Sequence, residues 1–212
     1  MNLEHALASY VRELFAPEDA ALRAIRERHD REDLPDIFIS PEEAGIIQML
    51  LRAIGARRVL EVGTLGGYSG VWIARALPHD GKLVTIERQP ERALIARDAF
   101  REAGVLERVE ILQGDAGAVM RSLTPGFDAV FLDADKEPLP EYFVEALRLT
   151  RVGGLVLCDN TLCEGRVADP EDREADVVGI REYNRLAAHD ARLASALIPV
   201  RDGLTVSVKV AD

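Results

Sequence analysis

Two patterns of apolar residues divide the chain near residue 57. Before it, apolar side chains recur at spacings of three and four, the period of an amphipathic helix. The apolar face of the first predicted helix consists of Leu3, Leu7, Val11 and Leu14. A looser helical stretch runs from Pro17 to about His29. We therefore expect a helical N-terminal extension over 1–57 and a different architecture over 58–212.

A capping box predicts the start of a third helix. Ser40 has the side chain of an N-cap, Pro41 suits the first helical position, and Glu43 completes the box three residues on. Gly55 suits the end of this helix. The face expected to be buried consists of Ile46, Ile47, Leu50, Leu51 and Ile54.

From residue 58, short apolar runs alternate with amphipathic stretches. The runs, predicted as strands, are Val59–Val62, Leu83–Ile86, Val109–Leu112, Asp128–Leu132 and Leu155–Leu157. The predicted helices between them lie near 68–77, 90–103, 116–123 and 138–150. This alternation is typical of an α/β domain with a parallel sheet and helices on both faces. The last two runs, 193–200 and 204–210, flank a turn at 201–203 and predict an antiparallel hairpin. We expect one domain over 1–212.

Composition narrows the function classes. The 212 residues include 26 Lys and Arg against 37 Asp and Glu, a net charge of −11. This acidity argues against a protein that holds bulk nucleic acid through its phosphates. No apolar run reaches the roughly 20 residues of a membrane span, and the first residues lack the pattern of a secretion signal. With only two cysteines, a cytoplasmic location is expected.

Polar residues follow nearly every predicted strand. In open parallel sheets, ligands bind beyond the carboxyl ends of the strands. The residues at those ends are Glu61, Gly63, Glu87, Asp115, Asp133, Asp135, Lys136, Asp159 and Asn160. So many carboxylates favour a cationic or amine-bearing ligand over a pyrophosphate.

The glycine-rich turn at 63–67 permits close approach of a ligand to the backbone, although a purely structural turn is the alternative. The dinucleotide fingerprint would need glycine at positions occupied by Leu65 and Tyr68, which disfavours a nicotinamide-dependent oxidoreductase. Glu87 could accept hydrogen bonds from a ribose diol, or be a solvated acid. Asp115 could bind an exocyclic amine, cap the helix at 116–123, or both.

Asp133, Asp159 and Asn160 make an oxygen-only set, which suits Mg²⁺ or Ca²⁺. Lys136 is a candidate general base, provided that a nearby cation and partial desolvation lower its pKa. The alternative for Lys136 is a surface pair with Asp135.

The remaining reactive side chains are expected to be structural. Those expected to be structural or solvated are His5, His29, His79 and His189. Cys158 reads as a small core residue, and nothing marks Cys163 as a nucleophile.

The chain resembles the cation-dependent class I O-methyltransferases, the group of caffeoyl-CoA and catechol O-methyltransferases and their bacterial relatives. The resemblance covers about 35–212. It rests on Glu87 and on the segments LEVGTLGGYS at 60–69, FLDADK at 131–136 and GGLVLCDNTL at 153–162. It implies a Rossmann-like seven-stranded sheet, mostly parallel with an antiparallel last strand. It also implies S-adenosylmethionine and a divalent cation, Mg²⁺ first, with Ca²⁺ or Mn²⁺ as alternatives.

The resemblance further implies a role for individual residues. Those implied to bind the cofactor are Ile39, Glu61, Gly63, Thr64, Ser69, Glu87, Asp115, Ala116 and Asp135. The implied metal ligands are Asp133, Asp159 and Asn160, with Lys136 and Asp133 catalytic. The expected acceptor is a catechol-like vicinal hydroxyl of a small aromatic molecule. A hydroxylated tRNA nucleoside is the alternative acceptor, and a binding module without catalysis is disfavoured by the intact Lys136.

Two features concern specificity and assembly. Cys163 and Glu164 stand where plant members often have Trp and Asn, which weighs against a CoA-ester acceptor. The segment 164–176 contains six acids and two arginines, and is expected to be a mobile lid, with a solvated loop as the alternative. The surplus of apolar faces at the N-terminus, together with the dimers common in this family, predicts a homodimer.

Overall fold

The computed structural model of the chain describes residues 3–32, 34–35 and 37–212, and the side chains of residues 3–5 and 30 fall outside that description. The side chain of His5 is therefore among those not described. The helices are α1 (Leu3–Phe15), α2 (Ala20–Arg31), α3 (Pro41–Ala53), α4 (Tyr68–Ala76), α5 (Pro90–Glu102), α6 (Ala116–Ser122), α7 (Leu139–Leu149) and α8 (Ala175–His189). The strands are β1 (Arg58–Val62), β2 (Lys82–Glu87), β3 (Val109–Gln113), β4 (Phe127–Leu132), β5 (Thr150–Cys158), β6 (Leu193–Ile198) and β7 (Leu204–Lys209). Short 3₁₀ turns occupy Leu106–Arg108 and Cys163–Ala168.

The seven strands form one sheet in the order β3-β2-β1-β4-β5-β7-β6. Strands β1 to β5 pair in parallel, and β7 pairs antiparallel with both β5 and β6. Because successive strand residues point to opposite faces, Val59 contributes to one buried cluster and Leu60 to another. The first cluster includes α2 to α5, and the second α6 to α8. The predicted α/β fold, with helices on both faces and an antiparallel strand near the chain end, is confirmed.

Strand β5 begins five residues before its apolar run. The pairing of β4 with β5 shifts register between Phe127 and Ala129, which accommodates the extra residues. Gly154 lies in this early part, where a Cβ atom would come within 2.7 Å of the Asp128 carbonyl oxygen. Glycine is a weak strand former, so the pattern alone placed the start of the strand too late.

Helix α8 has no bounds in the sequence analysis, although its spacing carried a signal. Val177, Ile180, Tyr183 and Ala187 are all buried, at helical intervals of three and four. Because the segment before these residues is polar, the sequence pattern predicts a loop there and does not show where the helix begins.

The apolar face of α1 is left largely uncovered by the part of the chain that the structure describes. Leu7 is 55% exposed and Leu14 58%, and Tyr10 and Phe15 are more exposed still. Helix α3, in contrast, buries Ile47 and Leu51 as predicted. Among the described residues, none of the helices has the length and hydropathy needed to cross a membrane.

Candidate active site

A cavity of about 970 Å³ lies at the carboxyl ends of the parallel strands. The predicted site residues that line it are Gly63, Thr64, Ser69, Glu87, Asp115, Ala116, Asp133, Asp135, Lys136 and Asn160. Glu61, Asp159 and Ile39 are fully buried behind its wall. The two residues before Ile39, which are Ile37 and Phe38, line the cavity instead.

The turn after β1 requires glycine for a structural reason as well as for access. Gly63 has a φ of 102°, and a Cβ atom there would lie 2.1 Å from the Asp133 carbonyl oxygen. A Cβ atom on Gly66 would meet the imidazole of His29 at 2.0 Å. The turn is therefore wedged between the end of β4 and helix α2, while its backbone still faces the cavity.

Glu61 is held by hydroxyl groups beneath this turn. Its Oε1 accepts a hydrogen bond from Ser69 Oγ at 2.6 Å, and its Oε2 accepts one from Thr85 Oγ1 at 2.6 Å. Thr64 Oγ1 lies 2.6 Å from Thr85 Oγ1 and continues the chain of hydroxyls. Burial raises the pKa of Glu61 to about 7, although both hydroxyl groups favour its charged form. Above about pH 7, a negative charge therefore lies directly behind Thr64 and Ser69.

Glu87 shapes the turn from the end of β2. Its two carboxylate oxygens accept from the backbone N–H groups of Leu65 and Gln89, each at 2.9 Å. The side chain is only 6% exposed, so the alternative of a solvated acid is wrong. Because each carboxylate oxygen can accept more than one hydrogen bond, these contacts orient Glu87 and leave it able to bind a diol.

The acids that follow β3 and β4 have different partners: Asp115 caps a helix, whereas Asp135 forms an ion pair. Asp115 caps α6, accepting from Ala118 N–H at 2.9 Å, and also lines the cavity. Both predicted roles of Asp115 are therefore sterically compatible. Asp135 forms an ion pair of 3.0 Å with Arg88 and is largely exposed.

Lys136 joins the end of β4 to the end of β5. Its Nζ lies 3.4 Å from Asp133 Oδ1 and 3.1 Å from the Asp159 carbonyl oxygen. The alternative of a surface pair with Asp135 is therefore wrong. Burial favours the neutral amine, but Asp133 and Asp159 outweigh it, and the pKa of Lys136 is raised. The protein groups alone therefore do not produce the predicted lowering of the Lys136 pKa. That lowering requires an added positive charge beside Asp133 and Asp159.

The carboxylates of Asp133 and Asp159 lie near this lysine, and Asn160 lines the same cavity. Asp159 Oδ1 accepts from the N–H of Asn160 at 2.6 Å, whereas Asp159 Oδ2 is buried without a hydrogen-bond partner. Asn160 lines the cavity with a left-handed φ of 58°. Burial raises the pKa of Asp133 although Lys136 opposes the rise. A buried oxygen without a partner is costly unless a ligand completes it.

The residues therefore fit a hard divalent cation in their donor chemistry. Among the described residues, no three His, Cys, Asp or Glu side chains are grouped closely enough to hold a metal by themselves. The candidate set has a different composition, since it relies on the Asn160 amide as well as on Asp133 and Asp159. Water and substrate oxygens would supply the remaining positions.

Glu43 is a site residue that the sequence analysis missed. Ser40 caps α3 as predicted, accepting from Glu43 N–H at 3.2 Å. The Glu43 side chain does not return this bond, so the second half of the capping box is wrong. It is completely buried, and both of its oxygens lack a hydrogen-bond partner of good geometry. Burial raises its pKa, and a hydrogen bond of poor geometry with Asp159, together with the charges of Asp159 and Asp133, raises it further. No sequence signal distinguished this role, because Glu43 satisfied the capping pattern.

Arginines hold the acidic segment 164–176 over the cavity. Arg166 lies 2.8 Å from Asp172 and 3.2 Å from Asp176. Arg181, from α8, donates to the carbonyl oxygens of Val167 at 3.0 Å and Asp172 at 2.7 Å. The segment thus carries many internal bonds, and its opening as a lid stays a prediction.

The described cysteines and histidines are consistent with the structural or solvated roles expected of them. Cys158 is fully buried, and burial raises the pKa of Cys163, so neither thiol is activated. His29 is buried, with its Nδ1 3.3 Å from the Pro35 carbonyl oxygen, and its ring also lines the cavity. His79 and His189 are exposed.

This sheet order, with an acid-rich cavity at the strand ends, defines a class I methyltransferase fold. The chain belongs to the O-methyltransferase family, whose model matches residues 12–210. It is 35% identical over 208 residues to a protein named catechol O-methyltransferase from Niastella koreensis, covering 94% of each chain.

Solved structures of O-methyltransferases share the fold at similar identity. TomG from Streptomyces achromogenes, in complex with S-adenosylmethionine, matches with a TM-score of 0.93 and 38% identity over 100% of both chains. The O-methyltransferase from Bacillus cereus, in complex with S-adenosylhomocysteine, matches with a TM-score of 0.91 and 34% identity, over 96% of this chain and 97% of that one. The present protein is an S-adenosylmethionine-dependent O-methyltransferase.

Proposed function

We propose that the enzyme methylates one hydroxyl of a catechol-like vicinal diol on a small aromatic molecule, with the help of a divalent cation. Mg²⁺ is the first candidate, and Ca²⁺ or Mn²⁺ are alternatives. The observation that carries the proposal is the position of Lys136 between Asp133 and Asp159, beside a buried carboxylate oxygen without a partner. The relative named catechol O-methyltransferase supports the same acceptor class.

Each group of side chains has a distinct task in this proposal. Asp133, Asp159 and Asn160 would hold the cation, which when bound stabilises negative charge on the acceptor oxygen. Lys136, at the cavity wall, would receive the proton of the acceptor hydroxyl once the positive charge of the bound cation favours its neutral amine. S-adenosylmethionine, when bound, would supply the methyl group, which would pass to the acceptor oxygen as the C–S bond breaks.

The cofactor side of the cavity suits a ligand with positive charge. Glu61 places a carboxylate behind Thr64 and Ser69, where it attracts the ammonium and sulfonium groups. Glu87 is turned toward the glycine-rich turn and would accept the ribose hydroxyls. Asp115 and Ala116, at the start of α6, would flank the adenine.

The test is methyl transfer by the purified enzyme with S-adenosylmethionine and a panel of catechols, flavonoids and hydroxycinnamates. We expect product with Mg²⁺ and its loss with EDTA. Turnover unaffected by EDTA would contradict the role of the cation. A panel left unmethylated, with labelled methyl entering total tRNA instead, would refute the acceptor class.

We further propose that the enzyme is a homodimer through the uncovered face of α1. This face presents Leu7, Tyr10, Leu14 and Phe15 to solvent, and exposed apolar patches of this kind mark interaction sites. Light scattering at micromolar concentration should give about twice the 23.3 kDa of one chain. A monomeric mass in the wild type would refute the dimer.

A further inference from the structure

The turn between β6 and β7 places an arginine at the acceptor end of the cavity. Arg201 lines the same cavity as Asp133, Lys136 and Asn160. Its guanidinium donates a hydrogen bond to the Phe38 carbonyl oxygen. An arginine has five N–H donors, and no other acceptor for them lies within hydrogen-bond distance among the described residues. Most of its donors therefore face solvent and the cavity.

Three other cations of the cavity are held in ion pairs, whereas Arg201 and Arg92, near the start of α5, have none among the described residues. Lys136 pairs with Asp133, Arg88 with Asp135, and Arg166 with Asp172 and Asp176. Arg201 has no carboxylate within ion-pair distance in the described part of the chain. Its positive charge opposes part of the rise in pKa that burial causes at Asp133 and Glu43.

The backbone of Arg201 is in an unfavourable conformation for this residue type. Its φ is 48°, in the left-handed region that favours glycine or asparagine. The turn is fixed in place because Thr161 N–H donates to the Gly203 carbonyl at 3.0 Å and Leu162 N–H to the Asp202 carbonyl at 2.8 Å. A long cation held in a strained position at the mouth of a cavity is a candidate for ligand recognition.

We propose that Arg201 binds an anionic substituent of the methyl acceptor, so that the preferred acceptor is a vicinal dihydroxy aromatic molecule bearing a carboxylate. This inference rests on the proposed acceptor class. An acceptor whose hydroxyls lie at Lys136, on the cavity wall, presents the rest of its ring to the mouth, where Arg201 is exposed. The planar guanidinium suits two hydrogen bonds to one carboxylate.

The experiment compares three acceptors that differ in the charge of one substituent: dihydroxybenzoate, neutral catechol and dihydroxyphenethylamine. We expect the wild type to favour the carboxylate. In Arg201→Gln, KM for dihydroxybenzoate should rise about tenfold, the effect of losing a charge-assisted contact in an open site. Its kcat, and KM for catechol, should change by less than about twofold. Arg173→Gln is the matched control, because Arg173 is an exposed arginine of the neighbouring acidic segment that does not line the cavity.

A purely structural tether to Phe38 predicts a different result. Arg201→Gln would then weaken all three acceptors equally, and that outcome overturns the proposal, as does a wild type indifferent to acceptor charge. Arg201→Gly, which relieves the left-handed backbone, should fold and show the same selective loss. Calorimetric binding of dihydroxybenzoate with S-adenosylhomocysteine and Mg²⁺ separates this inference from the proposed function. Binding lost in Arg201→Gln supports it even if no acceptor is methylated, and equal binding refutes it.

Discussion

The buried charge of Glu61 makes cofactor affinity dependent on pH. Its pKa is raised to about 7 by burial, so the side chain is mostly neutral at pH 6 and mostly ionised at pH 8. With this pKa, the ionised fraction rises from about one tenth to about nine tenths over those two pH units. If the ionised form binds the cationic cofactor, affinity for S-adenosylmethionine should increase roughly tenfold from pH 6 to pH 8. Binding below pH 7 should release a proton.

Isothermal titration calorimetry at pH 6, 7 and 8, in buffers of different ionisation enthalpy, measures both effects. Glu61→Gln should weaken binding at pH 8 and remove its pH dependence. The substitution replaces the carboxylate that accepts hydrogen bonds from two hydroxyl groups by a neutral amide. It weakens both hydrogen bonds, since hydrogen bonds to a charged group contribute about 1.5–3 kcal/mol each. Glu110→Gln, an exposed acid on β3, should behave as wild type. An affinity that does not change with pH in the wild type, or an unchanged slope in Glu61→Gln, would refute the reasoning.

Four other substitutions test three separate parts of the structure. Asp133→Ala and Asp159→Ala should abolish cation-dependent turnover. Calorimetry should show a cofactor affinity within about threefold of the wild type. A large loss of that affinity would count against a separate cation site. Asp128, despite partial burial, has a lowered pKa through Arg151 and two backbone N–H groups, so Asp128→Asn should destabilise by about 1–2 kcal/mol at pH 7 in urea unfolding. A lowered pKa stabilises the fold above the ordinary value of 3.8, so the difference should shrink as the pH falls below about 4; a difference independent of pH would contradict this assignment. Gly63→Ala should lower stability by about 2 kcal/mol or more, from strain and overpacking, and a wild-type melting temperature would show that the turn can adjust.

The sequence pattern predicted the sheet and most of the cavity because strand ends are local features. A carboxylate directly after an apolar run must lie at the carboxyl edge, as Glu87 and Asp133 do. The start of β5 and the bounds of α8 were missed, since glycines at 153–154 and a polar segment interrupted the apolar pattern.

Contacts between distant segments were beyond a single sequence. Glu43 matched a helix-capping pattern, and only the packing of α3 against the end of β5 shows that its side chain faces Asp159. Arg201 was visible merely as part of a turn signal. Its approach to Phe38, 163 positions away, depends on the order in which the last two strands join the sheet.

The hydrogen bonds from the β6–β7 turn to residues 161–162 have a consequence for biosynthesis. The segment that follows Asp159 and Asn160 is bonded to Asp202 and Gly203, which leave the ribosome later than β1 to β5. A nascent chain can pair β1 to β5 and form the cofactor side of the cavity before these residues emerge. The acceptor side is completed only after the β6–β7 hairpin has emerged, so a chain that stops short of this hairpin should retain cofactor binding without being able to methylate.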